Sequence, residues 1–282
     1  MAYIKPEQVL ESMIQTGTRK SNQSIKHLLL GGGLSGALLA FATTLAFTAT
    51  TQTNLGIIGA LVFPVGFVII VLLGLDLVTG NFALIPVAVL GKKTSFWKMI
   101  VNFFWVTIGH LLGCLFYAVL YYIAVTDMGN TPIDKNAVVQ LIIKTAETKT
   151  IGYEKFGIDG QITVFVKAML CNWMVTLGAV MAMTSKSTGG KIVAMWLPIF
   201  TFFAQGFEHA VVNLFVIPSG IMFGANISIT EWWLWNQFPV LLGNLTGGFL
   251  FTGLILFLIY KNDNDFVKKN TAVFKKDYAK EA

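Results

Sequence analysis

Charge is what this sequence has least of. Only 12% of the chain is Asp, Glu, Lys or Arg, about half the share usual in a soluble domain. The two cysteines, Cys114 and Cys171, both fall within apolar runs. They make neither a disulfide framework nor a metal motif, and small apolar packing accounts for them. Gly-x-Ser-x-Gly and His-Glu-x-x-His are absent, so no elbow nucleophile and no zinc helix is offered. The triple glycine Gly31-Gly32-Gly33 has no strand before it and no Gly-Lys-Ser/Thr after it, which excludes a phosphate loop. No nucleophile, metal set or cofactor site remains, and no enzyme is expected. A cleavable signal peptide is also missing. Residues 1–27 are polar, with Arg19, Lys20 and Lys26 just ahead of the first apolar run, which makes that run an anchor.

What the chain has in quantity is apolar length. Hydrophobic residues supply 55% of it, concentrated near 28–47, 55–90, 99–124, 160–184, 191–217 and 236–260. Crossing roughly 30 Å of hydrocarbon takes about 20 helical residues, so an all-α membrane protein with six spans is predicted. The second run is too long for one straight helix. Lys and Arg collect in the N-terminal segment, the 91–98 and 185–191 loops and the C-terminal tail. The 125–159 connection holds Lys135, Lys144, Lys149 and Lys155, but acids outnumber them there. This asymmetry places both termini in the cytoplasm. The net charge of +6 then reflects topology, with some attraction to anionic lipid, and nothing points to nucleic acid. Trp232, Trp233 and Trp235 suit an outer interfacial belt and Trp97 an inner one. The expected organisation is a cytoplasmic segment 1–27, a membrane domain 28–260 and a cytoplasmic tail 261–282.

The two halves repeat each other. Gly74-Leu75-Asp76 is followed by Asn81 and Pro86, and Gly206-Phe207-Glu208 by Asn213 and Pro218 at the same spacings. Asn102, Gly109 and Gly113 recur as Asn236, Gly243 and Gly247. Three spans per repeat is odd, so the halves cross in opposite directions. Acid, amide and proline inside apolar runs then mark the second and fifth spans as broken helices around a midplane site, as in a transporter or channel.

His209 is the most informative residue. An ionisable group within hydrocarbon faces a cavity or a partner, and a histidine can change charge near neutral pH; a neutral imidazole bridging two helices is the plainer reading. Thr79 lies in the matching region of the first repeat, either as a second donor or bonded to its own backbone. Gly80 is the expected opening of the helix, with Asn81 and Asn213 as caps of the half-helices that follow. If those half-helices begin at the midplane, their positive ends favour an anion there. Asp76 and Glu208 are expected to brace the broken backbones by accepting N–H bonds, since an exposed carboxylate would repel an anion. Asn172 is a candidate partner for Glu208. His110, between Gly109 and Gly113, reads as interhelical glue. Phe63, Phe67 and Phe202 lie before the breaks, near the proposed path.

Asp76-Leu77-Val78-Thr79-Gly80-Asn81, Cys171-Asn172-Trp173, Gly206-Phe207-Glu208-His209 through Asn213 to Ile217-Pro218, and Gly243-Asn244 together resemble the formate/nitrite transporter family over nearly the whole chain. The resemblance implies an aquaporin-like protomer in a homopentamer, each protomer with its own pore for small monovalent anions in the cell membrane. It makes His209 the central pore histidine and Thr79 its partner. Leu77, Val78 and Phe67 become an inner constriction, and Phe63, Val175 and Phe202 an outer one. Glu208, Asn172 and Asn213 become the polar support of the histidine. Lys149, in Ala146-Glu147-Thr148-Lys149, becomes the lysine that attracts anions, with Lys155 and Lys167 as rivals. Formate is the first expected substrate, carried as a proton-linked weak acid; nitrite, hydrosulfide or a short carboxylate is the alternative for the same pore. A water or glycerol channel is disfavoured. Its Asn-Pro-Ala turns are replaced by Asn81-Phe82-Ala83 and Asn213-Leu214-Phe215, and the one arginine, Arg19, lies outside the spans.

Overall fold

The computed structural model describes residues 3–261. Among them the chain forms α1 (Pro6–Ser21), α2 (Ile25–Thr53), α3 (Gly56–Leu72), α4 (Val78–Leu90), α5 (Phe96–Thr126), α6 (Ala137–Lys149), α7 (Ile158–Thr184), α8 (Thr188–Ala204), α9 (Ala210–Met222) and α10 (Ile229–Lys261). A single helical turn, Ile151–Glu154, follows α6. Side-chain caps open several of these helices: Ser24 for α2, Ser95 for α5, Asn136 for α6 and Ser187 for α8. Each offers an oxygen to an N–H that the helix itself leaves unpaired. Ser228 and Glu231 form a reciprocal capping box at the start of α10.

Four helices, α2, α5, α7 and α10, are long and apolar enough to cross a membrane. The other apolar helices come in consecutive pairs, α3 with α4 and α8 with α9. Several limits differ from the sequence expectation. Helix α2 runs past the apolar stretch 28–47 to Thr53, and there Thr48 and Thr53 satisfy their hydroxyls within the helix, on Thr44 O (2.8 Å) and Ala49 O (2.6 Å). Helix α9 continues to Met222, beyond the expected limit at 217. The 125–159 connection holds α6. Segment 1–27 contains α1, which sets Val9, Leu10 and Met13 into a cluster with Leu84, Val87 and Phe257. The expected tail, past Lys261, lies outside the described residues.

The two interruptions, at 73–77 and 205–209, are built alike. Gly74 has φ +69° and Gly206 φ +66°, a left-handed conformation that glycine adopts without a Cβ penalty. Leu75 N bonds Ile70 O at 3.0 Å and Phe207 N bonds Phe202 O at 3.3 Å, six-to-one closures typical of a helix ending in a left-handed residue. Extended residues, Leu77 (φ −125°) and His209 (φ −112°), then lead into α4 and α9. The turning residue is therefore Gly74 and not Gly80, which sits inside α4. Glycine's tolerance of unusual backbone angles makes Gly80 the expected opening, but of the two only Gly74 has positive φ.

Glycines also let the repeats close. A Cβ on Gly113 would fall inside the envelope of the Gly33 carbonyl, and one on Gly247 inside that of Met169. So α5 lies backbone to backbone on α2, and α10 on α7, as small residues allow. Gly189 faces open space. Gly113→Ala and Gly247→Ala are each expected to destabilise the folded protein by about 1–3 kcal/mol, the usual overpacking range. Gly189→Ala should leave stability unchanged; unfolding midpoints in detergent measure all three.

Candidate functional site

Each interruption carries a buried carboxylate held by a lysine and an asparagine, which a second asparagine links to each other. In the first, Lys20 Nζ lies 2.8 Å from Asp76 Oδ1. Asn81 Nδ2 donates to the same oxygen at 3.3 Å and to Asn102 Oδ1 at 2.9 Å. Asn102 Nδ2 returns to Lys20 O at 3.0 Å. In the second, Lys149 Nζ lies 2.7 Å from Glu208 Oε2. Asn213 Nδ2 donates to that oxygen and to Asn236 Oδ1, both at 2.8 Å, and Asn236 Nδ2 returns to Lys149 O at 2.9 Å. The two rings of contacts match member for member. Asp76 is fully buried and Glu208 nearly so, and a buried carboxylate is tolerated only when paired and hydrogen-bonded. In α1, burial drives the Lys20 ammonium below the usual lysine value, with Asp76 pulling it back.

The first N–H groups of α4 and α9 are also satisfied in parallel. Val78 N donates to His110 Nε2 at 3.0 Å, while His110 Nδ1 meets Gly32 O at 2.7 Å. Those partners assign a neutral ring with its proton on Nδ1. Ala210 N donates to Asn244 Oδ1 at 2.9 Å, and Asn244 Nδ2 donates to Ala168 O and Glu208 O.

His209 and Thr79 meet where the half-helices begin. Val212 N donates to His209 Nδ1 at 3.3 Å, so in the neutral ring the proton sits on Nε2, which lies 3.2 Å from Thr79 Oγ1. With Oγ1 accepting from the ring, the Thr79 hydroxyl proton is free for another acceptor. Phe202 stacks on the imidazole, centroids 5.6 Å apart and planes at 20°. A cavity of about 350 Å³ reaches His209 from one side, bordered by Lys144, Lys149, Tyr153, Lys167 and Phe202. A second cavity, of about 280 Å³, is bordered by Arg19, Lys20, Phe67, Leu77, Asn81 and Lys191. Phe63, Val78 and Val175 border neither of these two and are buried in one cluster with Phe67, Leu77 and Phe202.

Three expectations change. Asn81 and Asn213 do not cap α4 and α9; they sit in the first turn and bind the carboxylates. Asn172 Nδ2 donates to Thr79 O at 3.1 Å and Asn244 O at 2.6 Å, and makes no bond to Glu208. Its place on α7, beside α4, sets it on the Thr79 backbone instead. The donors to Asp76 and Glu208 are side chains, not backbone N–H groups. Lys155 lies over the Phe156 ring and does not reach Glu208. Two participants were missed. Lys20 enters the sequence reading only as a topological charge, although its spacing to Lys149, 129 residues, is close to the 132 between Asp76 and Glu208. Tyr153, whose hydroxyl donates to Glu208 Oε1 at 2.8 Å, belongs to a turn with no counterpart in the repeat.

The family profile described as Formate/nitrite transporter matches residues 7–258. The chain is 33% identical to an uncharacterized transporter of Bacillus subtilis (strain 168), over 92% of this chain and 95% of that one. It is 30% identical to a formate channel of Bacillus thuringiensis, over 95% of this chain and all of that one. Among solved structures, a pentameric formate channel with formate bound aligns with TM-score 0.67 at 22% identity, covering 84% of this chain and 97% of that one.

Removing Lys20 alone strands a buried carboxylate. Lys20→Met is expected to destabilise the protein by about 3–5 kcal/mol, and Lys20→Met with Asp76→Leu to recover most of that loss. Thermal unfolding of the two variants in detergent checks this.

Proposed function

The chain belongs to the formate/nitrite transporter family, and on that premise we propose that it moves small monovalent anions across a membrane, formate first. The observation that carries the reading is the meeting of Thr79 Oγ1 and His209 Nε2 where two half-helices start. Each of α3–α4 and α8–α9 acts as one broken span. The protein is then six spans in two inverted three-span repeats, aquaporin-like, with residues 28–260 in the membrane domain. Both termini are cytoplasmic, in line with the Lys and Arg asymmetry. The assembly is a homopentamer, the state named for the solved formate channel. No reaction on the substrate is involved, and the protein is not an enzyme.

A bare anion moved into low dielectric faces an idealised cost of order 20 kcal/mol. The positive ends of α4 and α9 and the donors on Thr79 and His209 offset part of it. The rest is avoided if the anion is protonated beside His209, by an imidazolium that has first taken its proton from solution on the entry side and is recharged from there, or by water polarised beside the ring. It then passes the apolar ring ahead of it as a neutral weak acid; the inner ring is Leu77, Val78 and Phe67, the outer Phe63, Val175 and Phe202. The proton is released beyond. Glu208, Asn213 and Lys149 hold the second break beside His209, and Asn172 holds Thr79 by its carbonyl. Nitrite, hydrosulfide and short carboxylates share the size and charge that such a pore reads.

Proteoliposomes carrying the purified protein are expected to take up formate with internal acidification, faster at acid pH. His209→Ala should abolish uptake while the protein still elutes as a folded oligomer. Uptake with no change in internal pH would sink the proton link. Wild-type protein that passes neither formate nor nitrite would sink the substrate reading.

A further inference from the structure

A third cavity, of about 450 Å³, lies on the proposed outer side, between the turn 151–154 and the start of α7. It carries charges of both signs: Lys155, Lys167 and Asp159 all border it. Among the described residues none of the three is in an ion pair. Lys155 Nζ stands 4.9 Å from the centroid of the Phe156 ring. Lys167 Nζ stands 5.3 Å from that of Tyr153 and 3.3 Å from its hydroxyl. Both ammonium groups therefore rest on neutral partners. The acid beside them repels a simple anion, so the set suits a zwitterion with its two charges a few bonds apart.

Depth and neighbouring surface decide which zwitterion. Gln161 Nε2 donates to Leu234 O at 2.8 Å, which sets the first turn of α7 beside the Trp232–Trp235 stretch expected in the outer interfacial belt. Asp159 thus stands at the depth of lipid headgroups. Ile162, Val166 and Trp173 follow it by 3, 7 and 14 residues, a spacing that keeps to one face of a helix, and all three are exposed. The Trp173 ring meets that of Phe251, centroids 5.1 Å apart. One stripe of α7 therefore runs from an acid at the interface down an apolar wall. Thr163 and Lys167, four and eight residues beyond Asp159, flank that stripe on the cavity side.

We propose that this cavity binds the headgroup of an outer-leaflet phospholipid with a primary amine, phosphatidylethanolamine. Its phosphate sits between Lys155 and Lys167, its ammonium at Asp159, and one acyl chain lies along Ile162, Val166 and Trp173. Charge-assisted hydrogen bonds hold both ends of the headgroup. The lipid braces the turn that carries Tyr153, whose hydroxyl donates to Glu208 Oε1 at 2.8 Å. The inference rests on the membrane topology proposed above and on no particular substrate.

The test is native mass spectrometry of the purified full-length protein, titrated with phosphatidylethanolamine and phosphatidylglycerol of identical chains. Wild type should hold the amine lipid tighter by about fivefold, the upper range for one exposed ion pair. Asp159→Asn should erase that preference by weakening the amine lipid alone, whereas Lys155→Gln should weaken both lipids alike. Both side chains are exposed, so the variants should unfold at the wild-type temperature. Equal binding of the two lipids by wild type overturns the proposal, as does an undiminished preference in Asp159→Asn or undiminished binding in Lys155→Gln. Glycerophosphoethanolamine, the headgroup without chains, should not compete at equal concentration; competition would make the occupant a soluble phosphate ester and overturn the lipid. A short amine-reactive reagent that joined Lys155 of two protomers would seat a second copy there and overturn it too. Lipid preference intact without formate uptake would count against the substrate reading alone.

Discussion

A helix broken inside a membrane exposes backbone groups that lipid cannot satisfy, and everything else here follows from how the two breaks are closed. Each closes on a carboxylate, and each carboxylate would be untenable in that place without a cation. Lys20 and Lys149 supply it, and each also offers its own carbonyl to the asparagine that steadies the ring, Asn102 or Asn236. The acid, lysine and asparagines therefore form a closed loop of mutual requirement. His209 and Asn244 stand directly on that loop, through the chain bond to Glu208 and the bond to its carbonyl. His209 is thus held directly beside the Lys149–Glu208 ion pair.

The sequence made much of this readable, because the repeat is marked by residues whose presence in apolar runs needs explaining. Asp76, Glu208, Asn81, Asn213, Asn102 and Asn236 all stand out for that reason, and the two turning glycines belong to the matched triplets. Thr79 and His209 were paired from the same alignment of halves. What stayed hidden was anything requiring two distant segments to meet. Lys20 looked like one cation among several near the first span, since nothing local distinguishes a lysine that turns inward from one that faces water. Asn172 was paired with the wrong partner for a related reason: a helix face is legible, but which neighbour it meets depends on packing between helices. The asparagines read as caps show the limit of propensity. Asn at a helix start usually caps, yet a buried carboxylate five residues earlier is a stronger claimant for its amide.

The repeats are not equivalent in their polar detail. Glu208 has donors on both oxygens, the second being Tyr153. Asp76 Oδ2 is buried without a hydrogen-bond partner, and His27 Nε2 stands 3.9 Å away with its side chain 54% exposed. A half-satisfied buried group is the weaker member of any matched pair. Asp76 thus has fewer side-chain donors than Glu208, although the backbones of the two breaks are nearly the same.

The lysines arrive from helices that are not themselves among the apolar ones, α1 and α6. On the proposed topology these fold on opposite faces of the membrane. Neither carboxylate can settle into its apolar site until a segment from its own aqueous side has docked beneath it. On that topology each carboxylate depends on a helix from its own side, and a chain with either helix misplaced leaves a carboxylate in its apolar site without the lysine that pairs it.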